Sequence, residues 1–98
     1  MFQIIFEKQA LKDLEQLKNA NLSQKAKKLV DILRDNPYQN LPSGEKLVGN
    51  LEGLHFRRIT IQHRLVYQVY QEPVIKDGVT YEGTIKIIRM WGHHGKAG

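Results

Sequence analysis

Apolar side chains recur along this chain with two different periods, and the change of period divides it into two halves. Residues 2–6 form a short apolar run that reads as a first strand. Ala10, Leu11, Leu14 and Leu17 then follow at helical spacing, with Lys8, Lys12, Asp13, Glu15 and Lys18 between them, which predicts an amphipathic helix over 8–18. Asn19-Ala20-Asn21 breaks it, and Ser23 is a good N-cap for a second helix whose apolar stripe is Ala26, Leu29, Val30 and Leu33. Asn36-Pro37 ends that helix, because the residue before proline disfavours the α region. Residues 38–53 are punctuated by Pro42, Ser43, Gly44, Gly49, Asn50 and Gly53 and read as loop. Beyond them the pattern predicts a strand over 54–61, a tight turn near Gln62, a strand from 63 to about 75, a hairpin turn at Lys76-Asp77-Gly78, and a last strand over 79–91, broken near Gly83.

Strand, helix, helix and then a meander of strands predict an α+β fold. It would have a largely antiparallel sheet of about four strands, mixed at the first strand, with a two-helix hairpin on one face. Alternation sorts the side chains of the sheet. Ile59 and Ile61 share one face with Arg58 and Thr60 on the other, while Leu65, Tyr67 and Val69 face away from Arg64, Val66, Gln68 and Tyr70. If the helices cover the first set, Arg58 and Arg64 both point to the open face. The last strand, with Ile85, Ile87, Ile88, Met90 and Trp91, is apolar on both sides and reads as central.

At 98 residues the chain suits one domain, expected over 1–98 with a flexible Gly-rich tail at 95–98. It has no Cys, which removes a disulfide scaffold, a thiolate metal site and a cysteine nucleophile. The apolar start is followed at once by Glu7 and Lys8, unlike a signal peptide or a membrane span, so a cytoplasmic location and no membrane contact are expected. The net charge of +5 favours an anionic partner, nucleic acid or an acidic protein, although a merely basic surface has the same sum. Its distribution is more informative: residues 55–71 hold three Arg and two His and no acid.

Two arginines on neighbouring strands can clamp a phosphate, since the guanidinium fork matches its oxygens and stays charged; surface ion pairs to Glu45, Glu52 or Glu72 are the alternative. His93 and His94 follow the last strand, where a histidine can shuttle protons at a site edge or simply stand exposed. Glu45, on the Gly-rich loop, is a candidate general base or a solvated loop carboxylate, and Lys46 beside it binds phosphate or keeps the loop soluble. Trp91, Phe56 and Tyr70 could stack on bases, with a core position favoured for Trp91. The four histidines have no recognisable ligand spacing, so no metal and no other cofactor is expected.

The runs Gly44-Glu45-Lys46-Leu47, Asn50-Leu51-Glu52-Gly53-Leu54, Phe56-Arg57-Arg58-Ile59-Thr60 and His63-Arg64-Leu65-Val66-Tyr67 together resemble the YoeB/Txe toxins of the RelE/ParE toxin–antitoxin superfamily. The pattern E-x-L-x-x-N-L-x-G-x-x-x-R-R-I-T-x-x-H-R-L-V-Y runs without gaps over residues 45–67. The resemblance implies a RelE-like fold and a metal-independent endoribonuclease that enters the ribosomal A site of the 30S subunit and cuts messenger RNA there. In those terms Glu45 is the general base on the ribose 2′-hydroxyl and Arg64 stabilises the phosphate in the transition state. Arg58 assists at the phosphate with Arg57 and Lys46, and the general acid lies at His93, with the family's terminal Tyr position falling on His94. Which histidine of the pair donates the proton stays open. The resemblance also implies a cognate antitoxin of the Phd/YefM kind, and leaves a homodimer open. A non-enzymatic toxin of the ParE kind and a plain RNA-binding module are the alternatives.

Overall fold

The computed structural model describes residues 1–39, 48–49 and 53–92. Its elements run β1 (Gln3–Phe6), α1 (Lys8–Asn19), α2 (Ser23–Asp35), β2 (Val48–Gly49), β3 (His55–Arg58), β4 (Arg64–Tyr70), β5 (Val74–Lys76), β6 (Val79–Tyr81) and β7 (Thr84–Arg89). Five strands form one sheet in the order β1-β7-β4-β3-β2, with β1 parallel to β7 and every other pairing antiparallel. The fold is therefore α+β with a sheet mixed at its first strand. β5 and β6 form a separate two-stranded hairpin turned by Asp77 and Gly78, both at positive φ.

The apolar stripes meet on one face of this sheet. Ala10 and Leu17 of α1 and Ala26, Leu29, Val30 and Leu33 of α2 pack with Leu65 and Tyr67 of β4 and Ile85 and Ile87 of β7. The register explains the match: Tyr67 stands opposite Ile87 and Val69 opposite Ile85, so these side chains share a face. Four details differ from the sequence pattern. Leu22, not Ser23, is the N-cap of α2, and no side chain caps the helix. β3 ends at Arg58, because Thr60 Oγ1 accepts the amides of Gln62 and His63 (both 3.2 Å) and folds residues 59–63 into a tight turn. Ile61 consequently lies 80% exposed on that turn instead of beneath the helices. β4 stops at Tyr70, before Gln71-Glu72-Pro73, so residues 74–76 leave the main sheet; proline has no amide to give a ladder.

The central position of β7 is as expected, and its ambiguous pattern has a local cause. Val66 pairs with Arg89 but the next residue, Tyr67, pairs with Ile87, so Ile88 is an extra residue in a bulge. The bulge interrupts strict alternation, and the buried side chains fall at Ile85, Ile87 and then Met90. None of the helices among the described residues is long and apolar enough to cross a membrane.

Candidate functional site

In the β3–β4 ladder Arg58 stands directly opposite Arg64, and Phe56 directly opposite Val66. Directly paired residues share a face, so both arginines lie on the same side of the sheet, beside the buried Phe56 and Val66. Arg58 is exposed and Arg64 half-buried. Like charges placed opposite one another destabilise a sheet, and this pair is better tolerated when an anion lies between the two groups. Arg64 has an additional feature: its buried Nε meets no acceptor among the described residues, a cost that a bound oxygen would remove. A groove lies alongside, bounded by Leu22 at the N-cap of α2, Lys25 of α2, Arg58 and residues 59–62 of the turn. Lys25 thus adds a third cation near this end of the sheet.

Arg57 has a different place from the one expected at a phosphate. It pairs with Leu65, on the face turned toward the core, and is 0% exposed. Its Nε donates to the Tyr67 hydroxyl (3.2 Å) and its Nη2 to the carbonyls of Pro37 (3.3 Å) and Gln39. The Tyr67 hydroxyl also donates to Pro37 O at 2.7 Å. Arg57 therefore fastens the chain after α2 to the sheet. Burial raises the Tyr67 hydroxyl above its ordinary range, with Arg57 acting against the shift. Burial and the nearby Arg57 charge both lower His55, whose ring lies 5.3 Å from that of Tyr67.

The end of β7 is tied down twice. Asp13 of α1 is 0% exposed and accepts hydrogen bonds from Arg89 Nε (2.8 Å), the Met90 amide (2.9 Å) and Gln9 Nε2 (3.0 Å). Burial alone would raise its pKa, but these donors outweigh it and the carboxyl lies below its ordinary value of 3.8. Gly92 donates to His63 Nδ1 (2.9 Å) and accepts from the Arg64 amide (3.0 Å). The His63 ring is stacked on Trp91, with centroids 4.0 Å apart. The chain thus passes beside Arg64 immediately before His93. Glu45, Lys46, His93 and His94 lie outside the described residues.

Neither Asp13 nor His63 stood out as functional in the sequence. For Asp13 a signal was there: it lies three residues after Ala10 and four before Leu17, on the apolar stripe itself. For Arg57 the alternation that pointed Arg58 outward already pointed its neighbour inward.

Comparison with known proteins agrees with this architecture. A solved structure described as a YoeB/ParE toxin from Agrobacterium tumefaciens has the same fold, with a TM-score of 0.72 at 23% identity over 95% of this chain and 100% of that one. The YoeB dimer from Staphylococcus aureus matches with a TM-score of 0.68 and 28% identity, covering 95% of this chain and 98% of its own. The YoeB-YefM complex from the same organism gives 0.62 and 29%, covering 96% and 99%. Among curated proteins none matches the chain. The family model for the YoeB-like toxin of bacterial type II toxin–antitoxin systems matches residues 6–89. Fold and matched stretch together define a toxin of a type II toxin–antitoxin system. Within that class the chain belongs to the YoeB-like toxin family. The matched stretch contains Arg58 and Arg64 and ends at Arg89, short of His93.

Proposed function

We propose that this chain is a ribosome-dependent, metal-independent endoribonuclease, acting in the cytoplasm on messenger RNA in the ribosomal A site and so inhibiting translation. The observation that carries the proposal is the Arg58–Arg64 pair, two guanidiniums opposite one another on one face, with the Arg64 Nε lacking an acceptor among the described residues. Glu45 takes the proton of the ribose 2′-hydroxyl as its oxygen attacks the adjacent phosphorus. Arg64 holds the phosphate oxygens as charge builds on them, and Arg58 and Lys46 add positive charge. The P–O5′ bond breaks, and His93 or His94 protonates the leaving 5′-oxygen. The products are a 2′,3′-cyclic phosphate and a 5′-hydroxyl end. The nucleophile belongs to the RNA, so the protein supplies a base, an acid and fixed charge, which positioning and electrostatics turn into rate.

The natural inhibitor is a cognate antitoxin of the Phd/YefM kind, whose acidic segment would cover the basic face. The similarity to a chain solved in complex with YefM supports that partner, and the similarity to one solved as a dimer makes a second copy a further expected partner. A translation extract programmed with a single message tests the function. Primer extension is expected to find new 5′ ends with intact ribosomes and far fewer on the naked message. No new ends, together with inhibited gyrase supercoiling, would instead mark a toxin of the ParE kind.

A further inference from the structure

One buried histidine has no place in the chemistry just described. His63 is 7% exposed, and its main chain is fixed by the β3–β4 turn: its carbonyl accepts the amides of Ile59 (2.8 Å) and Thr60 (3.1 Å), and its amide donates to Thr60 Oγ1. The ring is equally constrained, with Trp91 stacked against it at an interplanar angle of 25°. Because Nδ1 accepts the Gly92 amide, the ring proton resides on Nε2. The next residue, Arg64, donates its own amide to Gly92 O. The last residue of the turn and the first of β4 therefore hold the donor and the acceptor of a single glycine, whose φ of 86° suits no other residue as well.

We propose that His63 is a positioning residue for RNA cleavage, fixing beside Arg64 the point from which the chain continues into His93 and His94. The role rests on the ribonuclease function proposed above, in which Arg64 and one of those histidines act on the same phosphodiester. The end of β7 has a second anchor that does not involve His63. Met90, two residues earlier, is already 1% exposed in the core, and its amide is bonded to Asp13. An apolar side chain at position 63 could fill the space against Trp91, but it could not accept an amide hydrogen. A general acid helps only when its proton is held within hydrogen-bond reach of the leaving oxygen, and sites of this kind tolerate only about 0.5 Å of misplacement.

The test compares the full-length wild type with His63→Phe, which keeps a ring for Trp91 but has no acceptor, and His63→Asn, whose Oδ1 stands where Nδ1 stood. A third variant, His63→Gln, sets its oxygen at the Nε2 position and serves if the phenylalanine variant does not fold. Cleavage on programmed ribosomes gives kcat and KM, and amide exchange followed by NMR reads the Gly92 hydrogen bond without reference to activity. His63→Phe, or His63→Gln, is expected to expose the Gly92 amide and to lower kcat about 10- to 100-fold, as for a displaced acid, with KM within about twofold. His63→Asn is expected to restore Gly92 protection and most of kcat. A variant that loses Gly92 protection yet cleaves as fast as wild type overturns the positioning role. So does His63→Asn if kcat collapses with Gly92 still protected. A wild-type chain that cuts no RNA overturns the ribonuclease function itself, and with it this role.

Discussion

Consecutive side chains of a β-strand point to opposite faces, and Arg57 and Arg58 show what that does to two identical residues. Arg57 is enclosed by neutral oxygens from Tyr67, Pro37 and Gln39, while Arg58 is exposed opposite Arg64. The same cation is thus a tether on one face and a candidate phosphate ligand on the other. Arg57→Ala should lower stability by about 2–4 kcal/mol, the scale of losing several hydrogen bonds to a buried charge. Arg58→Ala should leave the melting temperature within about 2 °C, as surface changes do, and reduce RNA cleavage. Thermal melts beside cleavage rates check both, and the reverse pattern would show the two assignments exchanged. The sequence carried this distinction in its alternation, but the doublet Arg57-Arg58 invites one common role. Asp13 was obscured for a related reason: on a helical wheel it occupies the apolar stripe, and only the position of Arg89, 76 residues away, reveals why a carboxylate belongs there.

Helices and strands were legible where one face is predominantly apolar. α1, α2 and β4 follow from their spacing, because their buried faces meet a single core. The shortfalls lie where a local hydrogen bond overrides the pattern. Thr60 ends β3 ahead of Ile59 and Ile61, and the bulge at Ile88 hides the faces of β7. The parallel join of β1 to β7 depends on a pairing between the two ends of the chain, and no local spacing encodes that register. α1 is locked to the end of β7 through Asp13, Arg89 and the Met90 amide. Asp13→Asn should cost about 2–4 kcal/mol at pH 7, since it leaves the half-buried Arg89 without its fully buried counter-charge. The pH dependence has a definite sign. With its folded pKa below 3.8, Asp13 contributes stability that is complete above that value and is lost as the pH falls through the folded pKa. Denaturant melts from pH 7 to pH 2 should therefore show a steeper acid limb for wild type than for Asp13→Asn; parallel limbs would mean that the carboxyl is not held low.

For the molecule as a whole, charge and topology converge on one end of the sheet. A net charge of +5 attracts polyanions in general, but the acid-free stretch 55–71 concentrates cations around β3 and β4. Binding to single-stranded RNA should weaken steeply with salt, and each of Arg58→Ala and Arg64→Ala should reduce the slope of log K against log salt by about 0.7, one phosphate contact apiece. Filter binding over a salt series measures this, and unchanged slopes would move the RNA to another surface. The order β1-β7-β4-β3-β2 also brings the exit of β7 against the start of β4, so that Gly92 meets Arg64 although 28 residues separate them in sequence. That contact was not legible in spacing or alternation, and only the family resemblance joined Arg64 to His93 and His94 as an expectation. The most direct measurement is single-turnover cleavage of message on programmed ribosomes by wild type, Arg64→Lys and Arg64→Ala, with folding verified by melting. Wild type should cut, Arg64→Ala should be slower by about 100-fold or more, the scale of losing one fixed transition-state charge, and Arg64→Lys should recover only part of the rate because a point charge lacks the guanidinium fork. Cleavage by Arg64→Ala at the wild-type rate would contradict the account.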